Sequence, residues 1–382
     1  MIGVIADDLT GAAEVGAVGL RHGLQAEVVL AGEPSREADL LCLDTDSRAC
    51  APGEAAERAT RAARLLRQRR AGWLYKKTDS VLRGNVTPEI EAIVAALGLD
   101  GALLVPANPS LGRKIVDGQY SVRGQWLHET EFAHDPRHPR SSPSVRELIA
   151  EPASLPLFVR RAEEGLPARG IVIGDAASPK DLRQWAALRN DRWLMAGGAE
   201  FFSAILALPV SSALPKPAQG RELFVCGSAT RVTRDFVARQ TALGVRVFSL
   251  PQELATTSSV SPAQWALLGD EVVAALHGTE RAVLHVGLPP VHDVAIAEGL
   301  ALHLVRVAQH VIPLGKTRHV FAEGGATAVA LARQMRWHRL QVTAELGPGI
   351  VTLSTHDASA TRFTIKPGSY PWPEGTAAWR PR

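Results

Sequence analysis

Cysteine is scarce in this sequence. Cys42, Cys50 and Cys226 are the three in 382 residues, and no two form a C-x-x-C pair. That argues against a disulfide framework and a cysteine zinc site. Cys42 and Cys226 lie in apolar, strand-like runs and read as inert core residues. Aromatics make up 5% of the chain, and few lie beside its one concentrated basic run, Arg61 to Arg70. That run reads as the exposed face of a helix, not as a stacking platform for single strands. Neither sign of charge dominates: 42 basic against 39 acidic residues leave a net charge of +3, which speaks against nucleic acid as a partner. No apolar run approaches the ~20 residues of a membrane span. The N-terminus enters an apolar strand directly, with no basic n-region, so neither a signal peptide nor a membrane partner is expected and the cytoplasm is the default location. Internal repeats and low-complexity segments are absent. No G-x-G-x-x-G occurs, and Gly315-Lys316-Thr317 lacks the leading glycine of a Walker A loop, because position 310 is His.

With 46% hydrophobic and 21% charged residues, the chain suits a globular protein of two domains. Short apolar, β-branched runs alternate with longer Ala/Leu/Arg segments. The first half offers strands at Ile2–Ala6, Glu27–Leu30, Leu40–Leu43, Trp73–Lys76, Ala102–Val105, Ile171–Ile173 and Trp193–Met195, with helices such as Ala55–Arg69, Pro88–Leu97 and Pro179–Leu188 between them. Leu208–Gly220, rich in Pro, Ser and Ala, reads as a linker. It divides an N-terminal domain over 1–210 from a C-terminal one over 222–382, with 211–221 between. Alternation then resumes and ends in strands over Arg339–Ile365. The expected fold class is α/β, two domains each with a mostly parallel sheet flanked by helices. The last fifteen residues read as an irregular surface tail.

Three segments place polar chemistry directly after a strand, where open α/β sheets bind ligands. Ile2–Ala6 runs into Asp7, Asp8, Thr10 and Gly11, a pattern that fits either a capped helix start or a pair of carboxylates facing a ligand. Leu40–Leu43 runs into Asp44-Thr45-Asp46-Ser47-Arg48. Trp73–Lys76 runs into Lys77, Thr78, Asp79, Ser80, Arg83 and Asn85. This last cluster fits either a capped loop or a site for a small polyhydroxylated anion, with Arg83 and Lys77 facing a carboxylate and Asp79, Ser80 and Asn85 meeting hydroxyls. A parallel sheet predicts that the three ends converge on one pocket. The stretch from Pro106 to Ser144 reads as a long, irregular, functional loop. Its His128, His134 and His138 lack compact ligand spacing and read as surface or loop-stabilising residues.

In the second half, Gly227-Ser228 and Gly324-Gly325-Ala326-Thr327 each join a strand to a helix, and Lys366-Pro367-Gly368 follows a strand. Backbone amides at such turns suit phosphate, although glycine pairs also occur for steric reasons.

In order along the chain, ADDLTGA at 6–12, DSR at 46–48, KKTDSVLRGN at 76–85, PANPSLGR at 106–113, VDGQY at 116–120, ETEFAHDP at 129–136, GS at 227–228 and GGAT at 324–327 resemble the four-carbon acid sugar kinase family. The first and third motifs are specific to it. The resemblance implies an N-terminal domain that holds a sugar acid, a C-terminal domain that holds ATP, and an active site in the cleft between them. It implies phosphoryl transfer to a terminal hydroxyl, with Mg2+ on the phosphates and metal ligands that the motifs do not identify. By residue it points to Asp8, Arg48, Lys77, Asp79 and Ser80 at the sugar acid, joined by Arg83 on its chemistry. It points to Ser228, Gly324, Gly325, Thr327 and Gly368 at the nucleotide. Asp8 is the candidate to orient the acceptor hydroxyl. A homo-oligomer is compatible with the motifs.

Two departures from the family pattern lie on the nucleotide side: Ala326 replaces an acidic residue, and Pro367 and Ser369 stand in a segment that is otherwise glycine-rich. They keep open a non-catalytic acid-binding protein of the same fold. A lyase or aldolase using Lys77 as an amine nucleophile is a third reading, with Lys76 and Arg83 nearby to lower its pKa.

Overall fold

The computed structural model describes residues 1–35, 37–135, 137–149, 154–207, 220–252, 262–288, 294–355, 361–368 and 370–377. Apart from Gly220, the predicted linker lies outside them. The chain divides into two compact units, Met1–Ser212 and Ala213–Arg382.

The first unit contains strands β1 (Ile2–Ala6), β2 (Ala26–Val29), β3 (Leu40–Asp44), β4 (Trp73–Lys77), β5 (Gly101–Val105), β6 (Arg113–Val116), β7 (Gln119–Val122), β8 (Gln125–Trp126), β9 (Leu157–Arg160), β10 (Gly170–Gly174) and β11 (Trp193–Gly197). Its helices are α1 (Leu9–Arg21), α2 (Pro52–Gln68), α3 (Val86–Leu97), α4 (Val145–Leu148), α5 (Pro179–Ala187) and α6 (Ala199–Leu206). The main sheet runs β2-β3-β1-β4-β11-β5-β10-β9, with every pairing parallel. Its central strands are apolar runs buried throughout, such as Val4-Ile5-Ala6 and Leu40-Leu41-Cys42, as a sheet covered on both faces requires. From β1 the chain winds through α1 to β2 and β3 on one side, then through α2 to β4 on the other. The order therefore reverses beside β1, and that leaves a crevice at the carboxyl ends of β1 and β4.

The predicted irregular loop after β5 differs from expectation. It contains a small antiparallel sheet, β6-β7-β8, built from strands of four, four and two residues.

The second unit contains β12 (Glu222–Cys226), β13 (Arg246–Ser249), β14 (Arg281–His285), β15 (His319–Glu323), β16 (Arg339–Gly347), β17 (Ile350–Thr355) and β18 (Arg362–Lys366), with α7 (Arg231–Ala242), α8 (Pro262–Thr279), α9 (Val294–Leu314), α10 (Gly325–Gln334) and α11 (Glu374–Ala377). Its strands follow the order β13-β14-β12-β15-β18-β17-β16. They are parallel from β13 to β18 and antiparallel through the terminal hairpin. Here the order reverses between β12 and β15. The C-terminal segment is not wholly a surface tail: Trp372 is 6% exposed. Its ring meets Phe224 and Phe321 edge-on at 5.5 and 5.7 Å. A large aromatic surface is worth burying wherever an apolar face is open. Among the described residues no helix is long and apolar enough to cross a membrane.

Candidate active site

Parallel register brings the three polar strand ends of the first unit together. Ala6 lies opposite Asp44 of β3 and Lys77 of β4, so the residues that follow them share one rim. Arg48 is the hub. Its Nε and Nη2 donate to Asp7 at 2.6 and 3.1 Å, and its Nη1 donates to Asp8 at 2.7 Å. Asp8 also caps α1, its other oxygen accepting the Gly11 amide at 2.8 Å. The helix-cap reading of this motif is thus observed, and the same carboxylate also holds Arg48. Gly11 is needed here: a Cβ would stand 2.8 Å from the Asp8 carboxylate and 3.3 Å from Lys77 Cγ.

Asp79 lies across the crevice, 3.9 Å from Arg48. It accepts Nε and Nη2 of Arg83 at 2.9 and 2.8 Å, and it caps its own turn through the amides of Val81 and Arg83. Successive residues of a strand point to opposite faces, so Lys76 and Lys77 separate. Lys77 pairs with Glu14 of α1 at 3.0 Å, and Lys76 turns to α3. Ser80 accepts Arg113 Nη1 at 2.6 Å, and its carbonyl accepts the Tyr120 hydroxyl at 2.7 Å.

The segment between β5 and α4 contributes more than sequence reasoning assigned. Arg83 also donates to Asp135 at 2.9 Å. Arg83 and Arg113 each stand 5.6 Å from the centre of the Phe132 ring. His138 bonds to the Arg48 carbonyl at 3.1 Å, the loop-stabilising part expected of it. Arg113, Phe132 and Asp135 sit inside quoted motifs, yet a motif does not say which way its side chains turn. Glu14 was missed, although it is the lone carboxylate in an apolar helix, LTGAAEVGAVGLR.

Charge balance separates the carboxylates. Burial works against ionisation of Asp79, but Arg83 and Arg48 outweigh it and hold its carboxyl well below the usual range. Asp7 is likewise held down by Arg48 and Lys76 against its burial. For Asp8, burial wins over Arg48, and neighbouring Asp7 pushes the same way, so its carboxyl is raised. Burial alone would lower Lys77, but Glu14, Asp8 and Asp7 raise it. This corrects the expectation that Lys76 and Arg83 lower its pKa. Lys76 lies on the opposite face, and carboxylates surround Lys77.

In the second unit, register places Cys226, Glu323 and Lys366 side by side. Gly227-Ser228, Gly324-Gly325 and Pro367-Gly368 thus form adjacent turns at the order reversal. Gly227 packs so closely on Thr327 that a Cβ would fall 1.8 Å from its Oγ1. The α10 N-terminus opens at Gly324, with φ +96° and no side chain capping the helix amides. Thr230 donates to the Gly368 carbonyl at 3.2 Å. Beneath the turns, Lys366 Nζ pairs with Glu323 at 3.0 Å, neither side chain being exposed. The same ammonium donates to the carbonyls of Pro367 at 3.0 Å and Tyr370 at 2.5 Å. Glu323 in turn accepts the Thr233 hydroxyl.

Residues 2–205, the first unit almost entire, match the model of a family described as the sugar-binding N-terminal domain. A D-erythronate kinase of Heliobacterium modesticaldum is 32% identical over 90% of this chain and 88% of its own. The chain belongs to the four-carbon acid sugar kinase family. Other members resemble it at similar depth: a D-threonate kinase of Salmonella typhimurium is 30% identical over 91% of this chain and 89% of its own, and a 3-oxo-tetronate kinase of Cupriavidus necator is 28% identical over 98% and 95%. A solved Haemophilus influenzae structure shares the fold, with a TM-score of 0.74 at 20% identity over 97% of both chains. Against the family pattern, Ala326 is exposed in the first turn of α10. Pro367 lacks an amide to donate, but its carbonyl is bound by Lys366.

Proposed function

We propose that this chain transfers the γ-phosphoryl group of ATP to a terminal hydroxyl of a four-carbon sugar acid. The reading is carried by the convergence of Asp8, Arg48, Lys77, Asp79, Ser80 and Arg83 on one crevice, in a chain that aligns over nine-tenths of its length with a named kinase of such acids.

In this reading the first unit, extending to about residue 210, holds the acid. Lys77 and Arg83 face the substrate carboxylate, and Asp79 and Ser80 meet its hydroxyls. Arg48 offsets negative charge as the phosphoryl group arrives. Asp8 orients the acceptor hydroxyl and takes its proton. Asp7 is unsuited to that task, with its side chain 4% exposed, whereas that of Asp8 is 22% exposed. The raised carboxyl of Asp8 also brings it nearer the pKa of an effective base.

The second unit, from about residue 222, holds the nucleotide. Gly324, Gly325 and Gly368 let phosphates approach the backbone, and Ser228 and Thr327 supply hydroxyls. The uncapped amides at the start of α10 fit a phosphate group. Among the described residues no group of three or more His, Cys, Asp or Glu side chains could hold a metal. Magnesium characteristically stays mostly on phosphate oxygens and water; when bound with the nucleotide, it would neutralise charge on the phosphates.

The test is ADP release from ATP and magnesium, in a coupled assay, across D- and L-threonate, D- and L-erythronate and 3-oxo-tetronate. Turnover with one of them is expected. Silence across the panel from folded protein that still binds an acid would favour the binding-only reading.

A further inference from the structure

Behind the crevice, on the opposite face of β4, lies a charged group with no part in the reading above. Lys76 and Glu89 of α3 pair at 2.6 Å, their side chains 0% and 2% exposed. This close contact with Glu89 compensates the burial of the Lys76 ammonium. Removing two charges from water costs several kcal/mol per ion, and filling the space would need no charge at all.

What the pair does hold is a turn. Glu89 accepts the Ser47 hydroxyl. That hydroxyl lies 2.7 Å from the Thr45 hydroxyl, which donates to the Ala6 carbonyl at 2.8 Å. Asn85, which begins α3, donates to the carbonyls of Ser47 and Cys50, each at 3.0 Å. The amides of Ser47 and Arg48 both bond to the Asp7 carbonyl, at 3.0 and 3.2 Å. Ser47 is thus fastened behind the sheet while its neighbour Arg48 reaches into the crevice between Asp7 and Asp8.

We propose that Glu89, with Lys76 matching its charge, is a positioning residue for Arg48. By anchoring Ser47 it sets where the guanidinium stands, and so it controls affinity for the sugar acid without touching it. The inference rests on the sugar-acid reading of this crevice. A guanidinium that grips two carboxylates at 2.6 and 2.7 Å depends on small displacements, and a hydrogen bond to a charged group is strong enough to define them.

The experiment is calorimetric titration of the full chain with D-erythronate and D-threonate, and separately with ATP and magnesium. Ser47→Ala and Glu89→Gln are expected to weaken acid binding about tenfold while leaving ATP affinity unchanged. The double variant Lys76→Met/Glu89→Leu separates positioning from stability. It removes both charges of the pair, so it is expected to unfold near the wild-type temperature, yet to bind the acid weakly because Ser47 has lost its carboxylate acceptor. Wild-type acid affinity in that double variant, or losses shared equally by ATP, would overturn the inference. Wild-type protein that binds neither acid would overturn the sugar-acid reading and this inference with it. Wild-type binding matched by all the variants would overturn the inference alone.

Discussion

Lys366 Nζ lies 3.0 Å from the Glu323 carboxylate in a space where neither side chain is exposed. The lysine that the sequence places beside a glycine turn therefore points inward. It ties β18 to β15 and curls the backbone of Pro367 and Tyr370 around its ammonium.

Removing one member of this pair leaves an uncompensated buried charge. Glu323→Gln is expected to cost about 3 kcal/mol or more of unfolding free energy, read from a denaturant transition of the second unit. Lys366→Met/Glu323→Leu should recover most of that loss. A Glu323→Gln protein as stable as the wild type would show that the pair contributes nothing.

Asp79 makes stability depend on pH with a definite sign. Its folded carboxyl lies well below the usual value, chiefly because Arg83 and Arg48 outweigh burial. The unfolded state binds a proton first, near pH ~4, so this contribution is complete above that pH and is lost as the pH falls towards the folded value. Asp79→Asn should therefore destabilise strongly at pH 7, and less and less below about pH 4. Urea midpoints for both proteins across pH 3 to 7, roughly the span over which an unfolded aspartate titrates, would check this. A constant gap between them would contradict it.

Asp8 combines a helix cap with the proposed hydroxyl-orienting role, and one substitution separates the two. Asparagine caps helices about as well as aspartate, so Asp8→Asn should keep α1 intact, with a far-ultraviolet spectrum like that of the wild type. Turnover should nonetheless fall about 100-fold or more, as loss of a general base requires, with ATP affinity unchanged. Normal turnover would remove Asp8 from that role.

Lys77 should not behave as an amine nucleophile. Glu14, 3.0 Å away, and the surrounding aspartates outweigh burial and keep its ammonium protonated above the ordinary lysine range. Borohydride reduction in the presence of four-carbon aldehydes or keto acids should leave the mass of the chain unchanged. A trapped adduct at Lys77 would reinstate the lyase chemistry.

How much was legible follows from the physics of each element. Ile2–Ala6 stands where its apolar run and following carboxylates put it. The shared rim of the polar turns follows from strand–helix alternation, because a parallel sheet must deliver those turns to one edge, whereas the strand order was not legible. The small sheet β6-β7-β8 and the burial of Trp372 were not legible. Strands of two to four residues carry too little period to be read, and a tryptophan between Pro371 and Pro373 gives no sign of the apolar face that will receive it.

The sequence by itself determined which chemical groups are present, in what order, and at which strand ends. Hydrophobic periodicity and turn residues are local, and local patterns survive without a fold. Tertiary structure alone decided the partners. Lys76 and Lys77 are neighbours in sequence, yet one faces Glu89 and the other Glu14, because alternate residues of a strand leave opposite faces of its sheet. Arg48 became the hub of the crevice because β3 pairs with β1 in a register that sets Asp44 opposite Ala6. Charge, burial and pKa depend on distances across the fold, and no spacing along the chain contains them.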